Sequence, residues 1–271
     1  MNIFLLVFTI ILGIFYYSTL GWFTESWLHN EYYSHGFLVP LVSGYFIWKM
    51  RNELAAIEKK PSQVGIFIFA AGILMHAAGA MWTVRFLSGI SLLVTIAGAI
   101  IYIYGWEFMK SIRFPFLFLI LMIPLPFVDM LAAPAQKISA VSTSFMANLI
   151  GLPTVREGLI LRIPAGSFEV GLECSGINSI ISLFTIGAIF TFILEGSDLM
   201  KLTILASAIP LALAGNSLRI TSVLAVASVY GQGAAMDYFH DFSSLLLFSV
   251  ALMGLFLVGR CFGRLRFKKI F

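Results

Sequence analysis

The stretch "SQVGIFIFAAGILMHAAGAMWTVRFLSGISLLVTIAGAIIYIY", Ser62 to Tyr104, decides the fold class. It holds two apolar runs, at about 62–82 and 86–104, with Arg85 in the short break between them. Each run matches the roughly 20 residues an α-helix needs to cross a hydrocarbon core of about 30 Å. The rest of the chain repeats the pattern. Of its 271 residues 60% are hydrophobic and 11% charged, against about half and a quarter in soluble domains. The mean hydropathy is +0.97. These values describe an integral membrane protein.

Apolar runs at about 3–21, 36–50, 62–82, 86–104, 113–125, 176–194, 200–228 and 241–259 predict an all-α polytopic protein of about eight transmembrane helices, the second and fifth short. The first run has no basic leading region and no small-x-small cleavage site, so it reads as a helix rather than a signal peptide. With spans using up most of the length, a single membrane-embedded domain is expected over 1–271. The pattern changes in a loop at 126–173. There "PLPFVDMLAAPAQKISAVSTSFMANLIGLPTV" opens on a Pro-x-Pro break and then recurs at helical spacing with Gln136, Lys137, Ser139, Ser142 and Ser144 interspersed, as an interfacial amphipathic helix would. "VREGLILRIPAGSFEVGLE" alternates around Pro164-Ala165-Gly166 and predicts a short β-hairpin before the sixth helix.

Charge sets the orientation. With a cytoplasmic N-terminus, twelve of the 17 basic residues fall inside, and Arg85, Lys137, Arg156, Arg162 and Arg219 fall outside. The bias predicts both termini in the cytoplasm. The net charge of +4 sits in short loops and the tail, which suits anionic lipid headgroups better than nucleic acid. Two cysteines form no disulfide framework, and CxxC or HExxH metal spacings are absent. Cys261, in the basic tail "GRCFGRLRFKK", is expected to play no part in chemistry.

This orientation puts three reactive side chains at the outer face. Cys174, in "ECSGINS", stands where a helix is expected to begin, with Ser175 and Asn178 in its first turn. A helix N-terminus favours an anion and lowers a thiol pKa, although a free cysteine also serves as small apolar filler. Arg219 interrupts the apolar "SAIPLALAGNSLRITSVLAVASVY", with Asn216 three residues earlier on the same helix face. Together they can bind a carboxylate or an oxyanion, or the arginine can snorkel to headgroups. His240, in "MDYFHDFSSLLLFSV" beside Asp237 and Asp241, is suited to proton transfer or to capping the last helix. His29 and His35 also face outside, whereas His76 lies inside an apolar helix and reads as structural. Nucleophile, guanidinium and imidazole at the outer ends of three helices are what acyl transfer requires.

The motifs "ECSGINS" (Glu173 to Ser179), "NSLRI" (Asn216 to Ile220) and "FHDFSSLLLF" (Phe239 to Phe248) resemble those of the exosortase/archaeosortase family of polytopic membrane transpeptidases. "YSHGFLVPLVSGYFIW" (Tyr33 to Trp48) and "LMIPLP" (Leu121 to Pro126) extend the resemblance over nearly the whole chain. Ser243 and Ser244 stand where relatives commonly carry a glycine, and His240 follows the bacterial rather than the archaeal pattern.

The resemblance implies a cell-membrane enzyme with its active site outside. It would act on exported proteins that carry a C-terminal sorting motif, a hydrophobic helix and a basic cluster. Cys174 would be the nucleophile, Arg219 the oxyanion or orienting group and His240 the proton shuttle, with His35 competing for that role. Glu173, Asn178 and Asn216 would position substrate, and a membrane lipid amine would be a fitting acceptor. No metal or organic cofactor is required for such chemistry. A transporter or assembly component for extracellular polysaccharide, or a non-catalytic scaffold, are the competing readings.

Overall fold

A computed structural model describes residues 3–235, 240–262 and 266–268. Their contacts group into two compact units, residues 1–126 and 127–269.

The first unit is helical. α1 (Ile3–Phe15) and α2 (Tyr17–His29) replace the single first helix expected from sequence and bend by 73° about Tyr16. No proline causes the break. Tyr16 is fully buried, and its hydroxyl meets Thr95 Oγ1 at 2.8 Å and Ser91 Oγ at 3.2 Å, so a tertiary anchor overrides local helix continuity. α3 (Leu38–Lys49), the short α4 (Arg51–Ala56), α5 (Val64–Met81) and α6 (Arg85–Tyr104) follow, then α7 (Trp106–Ser111) and α8 (Arg113–Phe118). The α5–α6 pair packs backbone to backbone. Gly65, Gly72 and Gly79 recur every seventh residue of α5, and a Cβ on Gly72 would come within 2.6 Å of the Thr95 amide nitrogen. Small residues permit this approach, which replaces the hydrophobic drive that lipid cannot supply.

Two of the sequence motifs meet in this unit. The Tyr33 hydroxyl brackets Leu125, donating to its carbonyl at 3.1 Å and accepting from its amide at 2.8 Å. Trp27 Nε1 donates to the Met122 carbonyl at 2.9 Å. Backbone groups of Met122 and Leu125 in the irregular "LMIPLP" segment are thereby satisfied by Trp27 of α2 and by Tyr33 of the "YSHGF" motif.

The second unit opens with α9 (Val128–Leu149), followed by β1 (Val155–Glu157), β2 (Ile160–Ile163) and β3 (Gly166–Glu169). The expected hairpin is β2–β3, with Leu161 opposite Phe168 and Ile163 opposite Gly166. The structure adds β1 as a third antiparallel strand, tied by an Arg162–Glu157 ion pair of 2.8 Å. α10 (Ile177–Ile193), β4 (Leu194–Glu195), α11 (Asp198–Tyr230), α12 (Gln232–Ala234) and α13 (His240–Cys261) follow, and β5 (Arg266–Phe267) pairs with β4. α9 sorts its faces against the soluble rule: Gln136, Ser139 and Thr143 are buried with Ala132, Ala140 and Ala147, while Met130, Ile138, Val141 and Phe145 are exposed. That arrangement suits an apolar surrounding. Buried Leu161, Ile163, Phe168 and Val170 pack the sheet onto Ile220, Val223, Leu224 and Ala227 of α11.

Among the described residues, α5, α6 and α11 are long and apolar enough to cross a bilayer, and the bent α1–α2 pair makes a fourth span if it is counted as one. Of the remaining expected runs, Ile177–Ile193, Phe248–Cys261 and Arg113–Met122 form shorter apolar helical stretches.

Candidate active site

The chain enters the site from β3 and turns at Leu172–Cys174, a single 3₁₀ turn closed by Cys174 N–H donating to the Gly171 carbonyl at 3.0 Å. Gly176 follows with φ +84°, a left-handed conformation that costs a residue with a Cβ about 1–2 kcal/mol. Only then does α10 begin, at Ile177. Cys174 and Ser175 therefore precede the helix rather than occupying its first turn, which holds Asn178 as expected. The left-handed glycine separates the thiol from the helix N-terminus and turns the loop back toward α11.

Side chains from two distant helices fix this loop by its backbone. Asn216, buried on α11, donates through Nδ2 to the Cys174 carbonyl at 2.7 Å and to Ser139 Oγ at 2.9 Å. Ser139, on α9, donates in turn to the Ser175 carbonyl at 3.2 Å, and Gln136 Nε2 donates to the Val170 carbonyl at 3.1 Å. A Cβ on Gly176 would lie 3.1 Å from the Asn216 amide, so the glycine also makes room for the residue that holds its neighbour. Buried backbone carbonyls require such partners.

Cys174 and Arg219, both half-buried, open onto one cavity of 270 Å³. Phe168 and Glu169 of β3 form one wall, Val223 and Leu224 of α11 another, and Gln232 contributes to the lining. Arg219 lies about 30 Å along α11 from Asp198 at 1.5 Å per residue, close to one hydrocarbon thickness from the end that Asp198 and Lys201 mark as polar. An arginine at that depth reaches the interface without crossing the core. It also borders a second space of only 30 Å³, shared with Ser179, Asn216 and Phe248.

The other expected site residues divide. Asn178 Oδ1 and Asn216 Oδ1 are buried acceptors with no donor among the described residues. Glu173 lies in the same turn as Cys174. The side chains of Glu173 and His240 lie outside the described residues; the backbone of His240 starts α13. His35 belongs to the first unit, where burial pushes its imidazole below the usual histidine range against a smaller opposing effect of a hydrogen bond with the Leu121 backbone. Glu169 and Gln232 were not singled out by sequence; "FEVGLE" shows an acidic residue in a strand, but nothing local marks it as facing a cavity.

A thiol and a guanidinium on one half-open, partly apolar cavity can do acyl transfer: the sulfur attacks a carbonyl while the cation stabilises the oxygen that gains charge. A family model described as "Transmembrane exosortase (Exosortase_EpsH)" matches residues 27–257, most of the chain. No curated protein and no solved structure matches.

Proposed function

Since the chain belongs to the transmembrane exosortase family, we propose that it is a cysteine-type membrane transpeptidase that removes the C-terminal sorting tail of exported proteins. The observation that carries this reading is that Cys174 and Arg219, from segments far apart in sequence, line one cavity.

In the first half-reaction the Cys174 thiolate adds to the backbone carbonyl carbon at the sorting motif. The carbonyl oxygen becomes an oxyanion, which the Arg219 guanidinium stabilises. Collapse breaks the C–N bond, and the departing amine takes a proton, a task assigned to His240. A thioester remains on the enzyme and the tail leaves. An acceptor amine, such as that of a membrane lipid, then attacks the thioester, loses its proton and regenerates the thiolate. Asn216 holds the cysteine loop, and positioning of the substrate is assigned to Asn178 and Glu173.

We place the protein in the cytoplasmic membrane as one functional domain with eight crossings, both termini inside and the cavity facing out. The family match running through both compact units and the twelve-to-five partition of basic residues support that placement. The test is processing of a co-expressed exported protein with a tripartite tail, read by gel shift. Wild type should shorten the substrate and Cys174→Ala should leave it full length; equal processing by both would return the cysteine to a packing role.

A further inference from the structure

The first unit contains a cavity of 510 Å³ that the transfer chemistry does not use. It lies between α2, the last turn of α5 and the first turn of α6, beside the tight connection at 82–84. The ends of two apolar spans mark the depth at which hydrocarbon gives way to headgroups. Trp82 and Met81, both largely exposed, sit at that level.

The cavity is built from two kinds of polar group. Its floor is Thr19, His76 and Ser88, each more than nine-tenths buried and joined in one chain: Thr19 Oγ1 to Ser88 Oγ at 3.0 Å, and Ser88 Oγ to His76 Nδ1 at 2.6 Å. Its rim carries an exposed carboxylate, Glu25, and an exposed guanidinium, Arg85. Among the described residues no ion pair joins these two charges. Opposite charges lining one cavity without pairing leave room for a ligand that carries both signs. Trp22 adds an aromatic face, which attracts cations.

We propose that this cavity binds the zwitterionic headgroup of a phospholipid, with its phosphate against Arg85 and the hydroxyl floor and its ammonium between Glu25 and Trp22. Arginine matches phosphate oxygens through paired N–H donors, and a carboxylate is the natural partner of an ammonium. The acyl chains then lie along exposed apolar side chains such as Leu20 and Val84. The site shares no residue with the cysteine cavity and does not depend on the enzyme reading.

The test is native mass spectrometry of the purified full-length protein against equimolar phosphatidylethanolamine and phosphatidylglycerol, with wild type, Glu25→Gln and Arg85→Gln. Wild type should retain the ethanolamine lipid in preference to the glycerol lipid. Glu25→Gln should lose that preference while still binding phosphatidylglycerol. Arg85→Gln should weaken both by about tenfold, the loss expected of one charge-assisted contact. Soluble glycerophosphoethanolamine should displace bound lipid. Displacement by inorganic phosphate at the same concentration would show a simple anion site and overturn the proposal. So would a wild type without headgroup preference, or variants that bind both lipids as wild type does.

Discussion

Asn216→Ala tests whether the cysteine loop is held for chemistry. The substitution removes two donated hydrogen bonds, to the Cys174 carbonyl at 2.7 Å and to Ser139 Oγ at 2.9 Å. Each buried bond contributes about 1 kcal/mol net, and a carbonyl left without its donor adds to the loss, so the loop should be loosened by about 2–3 kcal/mol. If that free energy separates the productive loop from its relaxed forms, the productive fraction falls by at most about 30- to 150-fold. Misplacing a nucleophile by about 1 Å costs about a hundredfold, which is the same scale. Single-turnover processing of a tailed substrate measures the effect directly. Alkylation of Cys174 by a small neutral reagent, run in parallel, should become faster as the loop opens. Asn216→Asp should do no better than alanine, because a carboxylate has no N–H to donate and faces a carbonyl oxygen. A folded Asn216→Ala protein that processes within twofold of wild type would refute the reasoning.

Three further outcomes follow from the geometry. Arg219→Lys keeps the charge but loses the planar fork, and processing should drop by about a hundredfold or more, with thermal stability little changed; near-wild-type turnover would remove Arg219 from the oxyanion role. Gly72→Val places side-chain atoms against the Thr95 backbone and should cost more than about 2 kcal/mol, read as lost folded protein, whereas Gly13→Ala, with nothing within 4 Å of the added carbon, should be tolerated. His35 has a folded pKa below its ordinary 6.5, so its contribution to stability is complete above that value and is lost as pH falls toward the folded pKa. The melting temperature should therefore fall on acidification below about 6.5, and His35→Gln should flatten that slope between pH 7.5 and 5.5; an unchanged slope would place the titration elsewhere.

Sequence revealed what local pattern controls. α5, α6 and α11 were readable because each is one unbroken apolar run, and β2–β3 because Pro164 and Ala165 sit between alternating strands. The bend at Tyr16 was not, since its cause is a hydroxyl reaching residues 75 and 79 positions away. The third strand, β1, was not separable, since Val155-Arg156-Glu157 belong to the same alternating stretch that predicts a hairpin, and only pairing with β2 and the Arg162–Glu157 ion pair set them apart as a strand. In the site, Cys174, Arg219 and Asn216 stood out by type and surroundings. Ser139 and Gln136 looked like the polar side of an interfacial helix, and only tertiary packing turns them toward the cysteine loop.

The link from Asn216 to Cys174 spans 42 residues in the direction of synthesis. A ribosome adding about 5–20 residues per second makes the thiol some 2–8 s before the amide that seats it. Throughout that interval the Cys174 carbonyl lacks the amide donor that holds it in the finished fold. Seating of the Cys174 loop therefore waits until α11 has been made, so the order of the chain sets when this loop takes its final form.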